Sequence, residues 1–252
     1  MVTRSRQQVE GRGKRPGTGL VLVVLVGLLA GCGGSSAPPS GRTDRAAAPT
    51  GPGRASPAAG PSGAALTALD ALAVKGRAAK TGYSRERFGP AWADVDRNGC
   101  DTRNDILARD LTAETFRAGT QDCVVLSGSL RDPYTARTVT FSKSQASAVQ
   151  IDHVVSLSNA WQTGAQALTQ PERQALANDP LNLLAVDGPT NQAKSDADAA
   201  TWLPPDRAYW CPMVARQIAV KAAYRLWVTA AERDAMTRVL GSCPGQPLPV
   251  AR

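Results

Sequence analysis

Leu66, Leu69 and Leu72 recur at helical spacing and place the start of a folded domain near Ala64. A second helical stretch is expected over Arg103–Leu111, and two more over Ala160–Leu168 and Pro171–Ala177. Pro171 suits a first helical turn, where its missing N–H has no intrahelical partner. Tyr209 to Trp227 is a long Ala-rich helical pattern, and Thr229-x-x-Glu232 is a capping box that opens a last helix. Between the helices lie short apolar runs that read as strands: Cys123–Leu126, Val139–Phe141, Val149–Asp152 and Leu181–Val186, the last closed by Asp187-Gly188. Asp132-Pro133-Tyr134 supplies a turn between the first two. There is no internal repeat. Short strands among helices predict an α+β domain.

The first 62 residues follow different rules. Basic residues up to Arg15 precede an apolar run from Leu20 to Ala30, too short to span a bilayer and suited to a signal-peptide core. The run ends in Leu29-Ala30-Gly31-Cys32, which resembles a bacterial lipobox. Residues 1–31 are therefore expected to be a lipoprotein signal peptide, with Cys32 carrying lipid. Two or more acyl chains would hold the protein on the outer face of a membrane; an ordinary secreted form is the alternative. Residues 32–62 are mostly Gly, Ser, Pro, Ala and Arg, with no large apolar side chain to offset the entropy of folding. They read as a disordered tether spanning on the order of 30 Å, and 63–252 as the folded domain.

Placing the charge weakens its message. The chain has 29 Lys+Arg against 21 Asp+Glu, a formal net charge of +8. Arg4, Arg6, Arg12, Lys14 and Arg15 sit in the leader, and Arg42, Arg45 and Arg54 in the tether. The folded domain is close to neutral, so basicity alone does not argue for nucleic acid. The apolar fraction of 42% supports a packed core. A single histidine excludes His-rich zinc centres and the H-E-x-x-H protease helix. The glycine-rich signatures of nucleotide-binding loops are missing from the sequence.

Beyond Cys32 there are four cysteines: Cys100, Cys123, Cys211 and Cys243. An even number in an exported domain suggests two disulfides, and three pairings are open. The sequence-local pairs Cys100–Cys123 and Cys211–Cys243 are favoured. The rival use, one zinc held by four thiolates, lacks any C-x-x-C pair.

Candidate chemistry gathers around the lone histidine. Asp152-His153 ends an expected strand, where adjacent side chains point to opposite faces. Asn182 and Asn191-Gln-Ala-Lys194 follow. A carboxylate with an amide carbonyl suits Mg²⁺ or a similar hard ion that keeps several waters. A neutral imidazole suits proton abstraction. Metal plus general base is a minimal kit for phosphodiester hydrolysis.

The spacing of Ile151-Asp-His-Val-Val-Ser-Leu157, Asn182-Leu183-Leu184 and Asn191-x-x-Lys194 resembles the HNH endonuclease family, whose site is a ββα-metal (His-Me) finger. Further segments resemble exported bacterial members related to the nuclease domain of GmrSD-type restriction enzymes. They are Asn98–Arg103, Gly128-x-Leu-x-Asp-Pro-Tyr134, Asn159–Gly164, Asn178–Gly188 and Trp202-Leu-Pro-Pro205. The resemblance covers roughly residues 64–243. It implies an HNH finger embedded in a mostly helical domain. It also implies an endonuclease acting on DNA, with RNA as the alternative, and one divalent ion, Mg²⁺ or Mn²⁺. His153 is then the general base, Asp152 and Asn191 are metal ligands, and Asn182 holds the loop that orients His153. Lys194 contacts phosphate or buttresses the finger. Many relatives have Pro where Ser156 stands, which leaves the loop after the histidine less constrained. No protein partner is expected. A non-catalytic envelope module that keeps the fold for adhesion or binding is the competing class.

Three features stand apart from that pattern. Asp94-x-Asp96-x-Asn98-Gly99, with Asp105 in twelfth place, matches half of a calcium loop but lacks its closing Glu, and it also reads as an Asn-Gly turn entering a helix. Arg103 could hold a scissile phosphate bidentately or simply cap the fold. The five tryptophans lie among apolar residues, and core packing is expected of them.

Overall fold

In the structure, a computed structural model, residues 64–249 are described. The expected leader, Cys32 and the tether lie outside them. Among the described residues no helix is long and apolar enough to cross a membrane.

The described domain is α+β. Helix α1 (Ala64–Ala71) packs with α6 (Trp210–Ala223) and α7 (Ala230–Gly241). Ala65, Leu69, Val214, Ile218, Met236 and Leu240 bury a shared core between them. Helix α7 opens on the expected capping box. Thr229 accepts from the Glu232 N–H while the Glu232 carboxylate accepts from Thr229. Helix α6 stops at Ala223, short of the expected Trp227, because Arg225 turns into the left-handed region at φ 54°.

A second part is a three-stranded antiparallel sheet, β1 (Leu111–Phe116), β2 (Val125–Arg131) and β3 (Thr138–Ser142), in that order. Helix α2 (Thr102–Asp110) packs on it. Asp101 caps α2 by accepting from the Asn104 N–H. No apolar pattern marks β1. It is an edge strand with irregular register against β2, and beyond Leu111 its residues are exposed or half-exposed. A strand without a buried face carries no apolar alternation.

The third part contains the histidine. Strand β4 (Val149–His153) pairs antiparallel with β5 (Leu183–Asp187), Ile151 opposite Ala185 and His153 opposite Leu183. Helix α5 (Gly188–Lys194) follows β5 directly, so the order is strand, strand, helix. At the joint, Gly188 approaches the backbone so closely that a Cβ there would lie 2.0 Å from the Ser147 carbonyl oxygen. Only glycine fits.

Between β4 and β5 run α3 (Leu157–Gln162) and α4 (Gln170–Asn178). Helix α3 lies earlier than the apolar pattern predicts. Ser156 caps it by accepting from the Asn159 N–H, and Gly164, at φ 130°, prevents its continuation toward Leu168. The φ of Ser156 is −58°, the value a proline would impose. The loop thus keeps the backbone expected with Pro while the serine adds a cap.

Both sequence-local cysteine pairs are disulfides. Cys100–Cys123 ties the entry of α2 to the loop before β2, and Cys211–Cys243 ties α6 to the end of α7. Their sequence separations are 23 and 32. Loops of this size are worth about 3 kcal/mol each in the chain-entropy picture. Reduction should therefore lower the thermal midpoint clearly, read by circular dichroism with and without a thiol reductant. An unchanged midpoint would show that neither bridge constrains the unfolded chain.

Candidate active site

His153 ends β4 and is 8% exposed. Its Nε2 lies 2.9 Å from the Ala177 carbonyl oxygen. A carbonyl can only accept, so Nε2 carries the proton and Nδ1 is left as an acceptor. Burial pushes the imidazole from 6.5 down to about 4, against the pull of the Ala177 carbonyl; the charges of Arg85 and Lys194 push the same way as burial. The ring is therefore neutral near pH 7. Trp92 lies over it with centroids 6.1 Å apart and planes 18° from parallel.

Asn182, one residue before β5, holds the loop that follows the histidine. Its Oδ1 accepts from the Val155 N–H at 2.9 Å, and its Nδ2 donates to the carbonyls of Val155 and Leu176. Its own carbonyl accepts from the Val154 N–H. Asn182 is completely buried. One side chain thereby fixes both chain segments that flank the imidazole.

Asp152 faces the other way, as adjacent strand residues must. Tyr134 Oη donates to its Oδ2 at 2.6 Å and Lys194 Nζ to its Oδ1 at 2.9 Å. Lys194 also donates to the His153 carbonyl. The carboxylate is 4% exposed and the lysine 0%. Burial raises the carboxyl pKa, while the Lys194 ammonium and the Tyr134 hydroxyl oppose that rise. Tyr134 is held by the turn after β2, where Asp132 accepts from the N–H and hydroxyl of Thr135 and from the Asp187 N–H. Trp202 packs edge-on against its ring.

These groups border a polar cleft of about 580 Å³. Asp152, His153, Gln150 and Asn191 line it together with Lys80, Arg85 and Asp196. Asn191 Nδ2 donates to Gln150 Oε1 at 3.0 Å, which leaves the Asn191 carbonyl for another partner. Lys80 and Ser158 both bond Asp196. Arg85 is exposed and belongs to the walls of this cleft and of a second one beyond His153.

Of the residues singled out in the sequence, Asp152, His153 and Asn191 meet at this cleft, and Asn182 lies directly behind the histidine. Lys194 is turned inward behind Asp152, away from solvent, and bonds the Asp152 carboxylate and the His153 carbonyl. Arg103 lines neither cleft. Its half-buried guanidinium sits 5.8 Å from the Phe141 ring centroid, and burial lowers its pKa. The Asp94–Asp105 loop closes on itself. Asp94 accepts from the N–H groups of Asn98 and Gly99, and Asn98 Nδ2 bridges Asp96 and Asp105 as the chain enters α2. Trp161 is buried in the core and Trp92, Trp202 and Trp210 pack half-buried against core clusters, as expected, whereas Trp227 is half-buried under the Lys75 ammonium.

Whether these residues suit a divalent ion turns on their donor atoms. A carboxylate offers about four lone-pair sites, and only one hydrogen bond reaches each Asp152 oxygen. With the Asn191 carbonyl this makes a hard-oxygen pair on one cleft. The Lys194 ammonium cancels the single carboxylate charge. Among the described residues no three His, Cys, Asp or Glu side chains cluster as ligands. A carboxylate and an amide carbonyl are donors of the kind that suit a hard ion keeping most of its water, such as Mg²⁺.

The domain is thus of mixed α+β class, with one buried, neutral imidazole facing a cleft of carboxylate, amide and cationic side chains. The chain belongs to the family of GmrSD restriction endonucleases, C-terminal domain, which residues 101–239 match. It is a nuclease-related family. A relative from the fungus Arthroderma benhamiae, described as an uncharacterized secreted protein, is 41% identical over 181 residues, 71% of this chain and 84% of its own length. No solved structure matches this chain.

Tyr134, Gln150, Arg85 and Trp92 are the site residues that sequence reasoning missed. Tyr134 stood inside a recognisable segment, but a tyrosine in a turn carries no mark of a buried hydroxyl partner. Arg85 and Trp92 precede the matched family segment and have no local motif.

Proposed function

We propose that this chain is an exported, metal-dependent endonuclease of the HNH, or His-Me finger, type that hydrolyses phosphodiester bonds of DNA. The observation that carries the reading is the imidazole of His153: neutral, locked by Ala177 on one nitrogen, and lining the same cleft as Asp152 and Asn191. His153 Nδ1 takes the proton from a water, which attacks phosphorus in line with the leaving 3′ oxygen. Ends with 5′-phosphate and 3′-hydroxyl result. Asn182 keeps the imidazole aimed during that transfer. Arg85 and Lys80 place positive charge at the rim, where a phosphate's non-bridging oxygens would enter. Asp152 and Asn191 would hold the divalent ion, which when bound stabilises charge on the phosphate and the leaving oxygen. Lys194 and Tyr134 fix the position of Asp152.

Two disulfides, a secreted relative and the lipobox-like Cys32 support action outside the cell, with the protein held on the outer membrane face by lipid on Cys32. The test is nicking of supercoiled plasmid. Conversion to open circle is expected in Mg²⁺ or Mn²⁺, and EDTA should abolish it. Inertness with both metals on plasmid, single-stranded DNA and RNA would overturn the reading.

A further inference from the structure

The second cleft touching His153 differs in kind from the first. It has a volume of about 450 Å³ and is mainly apolar, with Phe88, Pro90, Trp92 and Leu157 in its walls. His153 and Arg85 belong to both clefts. We propose that this apolar cleft is a nucleobase pocket. It would take one unstacked base of the strand being cut while the adjoining phosphate lies in the polar cleft. The proposal rests on the endonuclease reading and adds to it a substrate class, a strand whose bases can leave the stack.

Four observations converge on a base rather than another apolar group. Trp92 is half-buried, so one part of the indole is fixed against the core while the rest faces the cleft, the arrangement of a stacking platform. Its backbone lies in the left-handed region at φ 58°, which a bulky side chain adopts only where the surroundings hold it. That conformation brings the indole nearly parallel to the His153 ring. The cleft opens beside Arg85, which can reach the phosphate linked to a base held within. Its wall also contains Asn178, 1% exposed, whose Nδ2 donates to the Gln174 carbonyl while its Oδ1 has no donor. A base edge with an N–H group, an exocyclic amine or a ring imide, would bring a donor to that wall.

A paired and stacked base cannot enter such a pocket without leaving the duplex, so cleavage should favour single-stranded or locally unpaired substrate. Loss of one base–aromatic stack is worth roughly tenfold. The experiment uses an end-labelled single-stranded oligonucleotide with one abasic position, and the same sequence as a full duplex, in Mg²⁺ or Mn²⁺. The single strand should be cut about tenfold faster or more. The band at the phosphate next to the abasic position should be weakened about tenfold relative to all others. With Trp92→Leu, which keeps apolar bulk, the single-strand preference should shrink and the abasic band should match its neighbours. Cleavage of both forms at equal rates, with no weakened band, overturns the pocket and leaves the endonuclease reading intact. No cleavage of any substrate overturns both. A Trp92→Leu protein that keeps the wild-type band pattern also refutes the pocket, because the stacking platform would then be elsewhere.

Discussion

His153→Ala is expected to reduce DNA cleavage by roughly 10²- to 10⁴-fold, the usual loss when a positioned general base is removed. Plasmid-nicking rates would read the loss, and the thermal midpoint would show that the fold survives. The imidazole packs at the cleft wall and makes one hydrogen bond to the chain, so its removal leaves the β4–β5 register intact. Cleavage at the parental rate would move the base to another residue. The same side chain makes a pH prediction with a definite sign. Its folded pKa, about 4, lies below the unfolded value of 6.5. The stabilisation from keeping it neutral is complete above 6.5 and is lost as pH falls toward 4, where the unfolded chain has already taken the proton. That interval corresponds to roughly 3 kcal/mol. There is only one histidine in the chain, so the fall between pH 6.5 and 5 belongs to it. His153→Ala should flatten the stability profile there. An imidazole that titrates near 6.5 by NMR in the folded protein would overturn the prediction.

What the sequence made legible follows physical rules. Elements with a buried face or a local signal were visible: α1 and β4 repeat apolar residues at the period of their backbone, β5 is an unbroken apolar run, α6 an Ala-rich one, and α4 and α7 open on Pro171 and the Thr229–Glu232 capping box. Elements set by other forces were not. Strand β1 is an exposed edge, and the limits of α3 come from the Ser156 cap and from Gly164 rather than from Trp161 and its neighbours. The same division holds at the site. Asp152, His153, Asn182 and Asn191 lie in local motifs at the end of β4, at the start of β5 and on the helix after it, which the antiparallel strand pair brings together. Tyr134 and Arg85 come from distant loops and reach the site only through tertiary packing. Lys194 was legible as a residue but not as a direction. Nothing in Asn191-x-x-Lys194 tells whether the ammonium points at solvent or at a carboxylate behind the strand.

That direction carries a large stability effect. Lys194→Met should destabilise it by about 3–5 kcal/mol, since a buried carboxylate would lose its compensating charge. For a domain of this size that corresponds to a fall in thermal midpoint of roughly 6–20 °C. The cause is the uncompensated charge, not the lost lysine, so the second substitution should undo the first. Asp152→Asn combined with Lys194→Met removes both charges, keeps an acceptor for the Tyr134 hydroxyl and should recover most of the midpoint. Activity should not return, because the carboxylate assigned to the ion is gone. A lysine that acted on the substrate phosphate would give the opposite pattern, lost cleavage with an unchanged midpoint in the single variant. The bared Asp152 of Lys194→Met also gives a readout independent of cleavage. A divalent ion in the adjoining cleft would replace the missing positive charge, so Mg²⁺ should raise the midpoint of Lys194→Met more than that of the parent, and should do nothing for the double variant. Equal responses in all three proteins would place the ion away from Asp152.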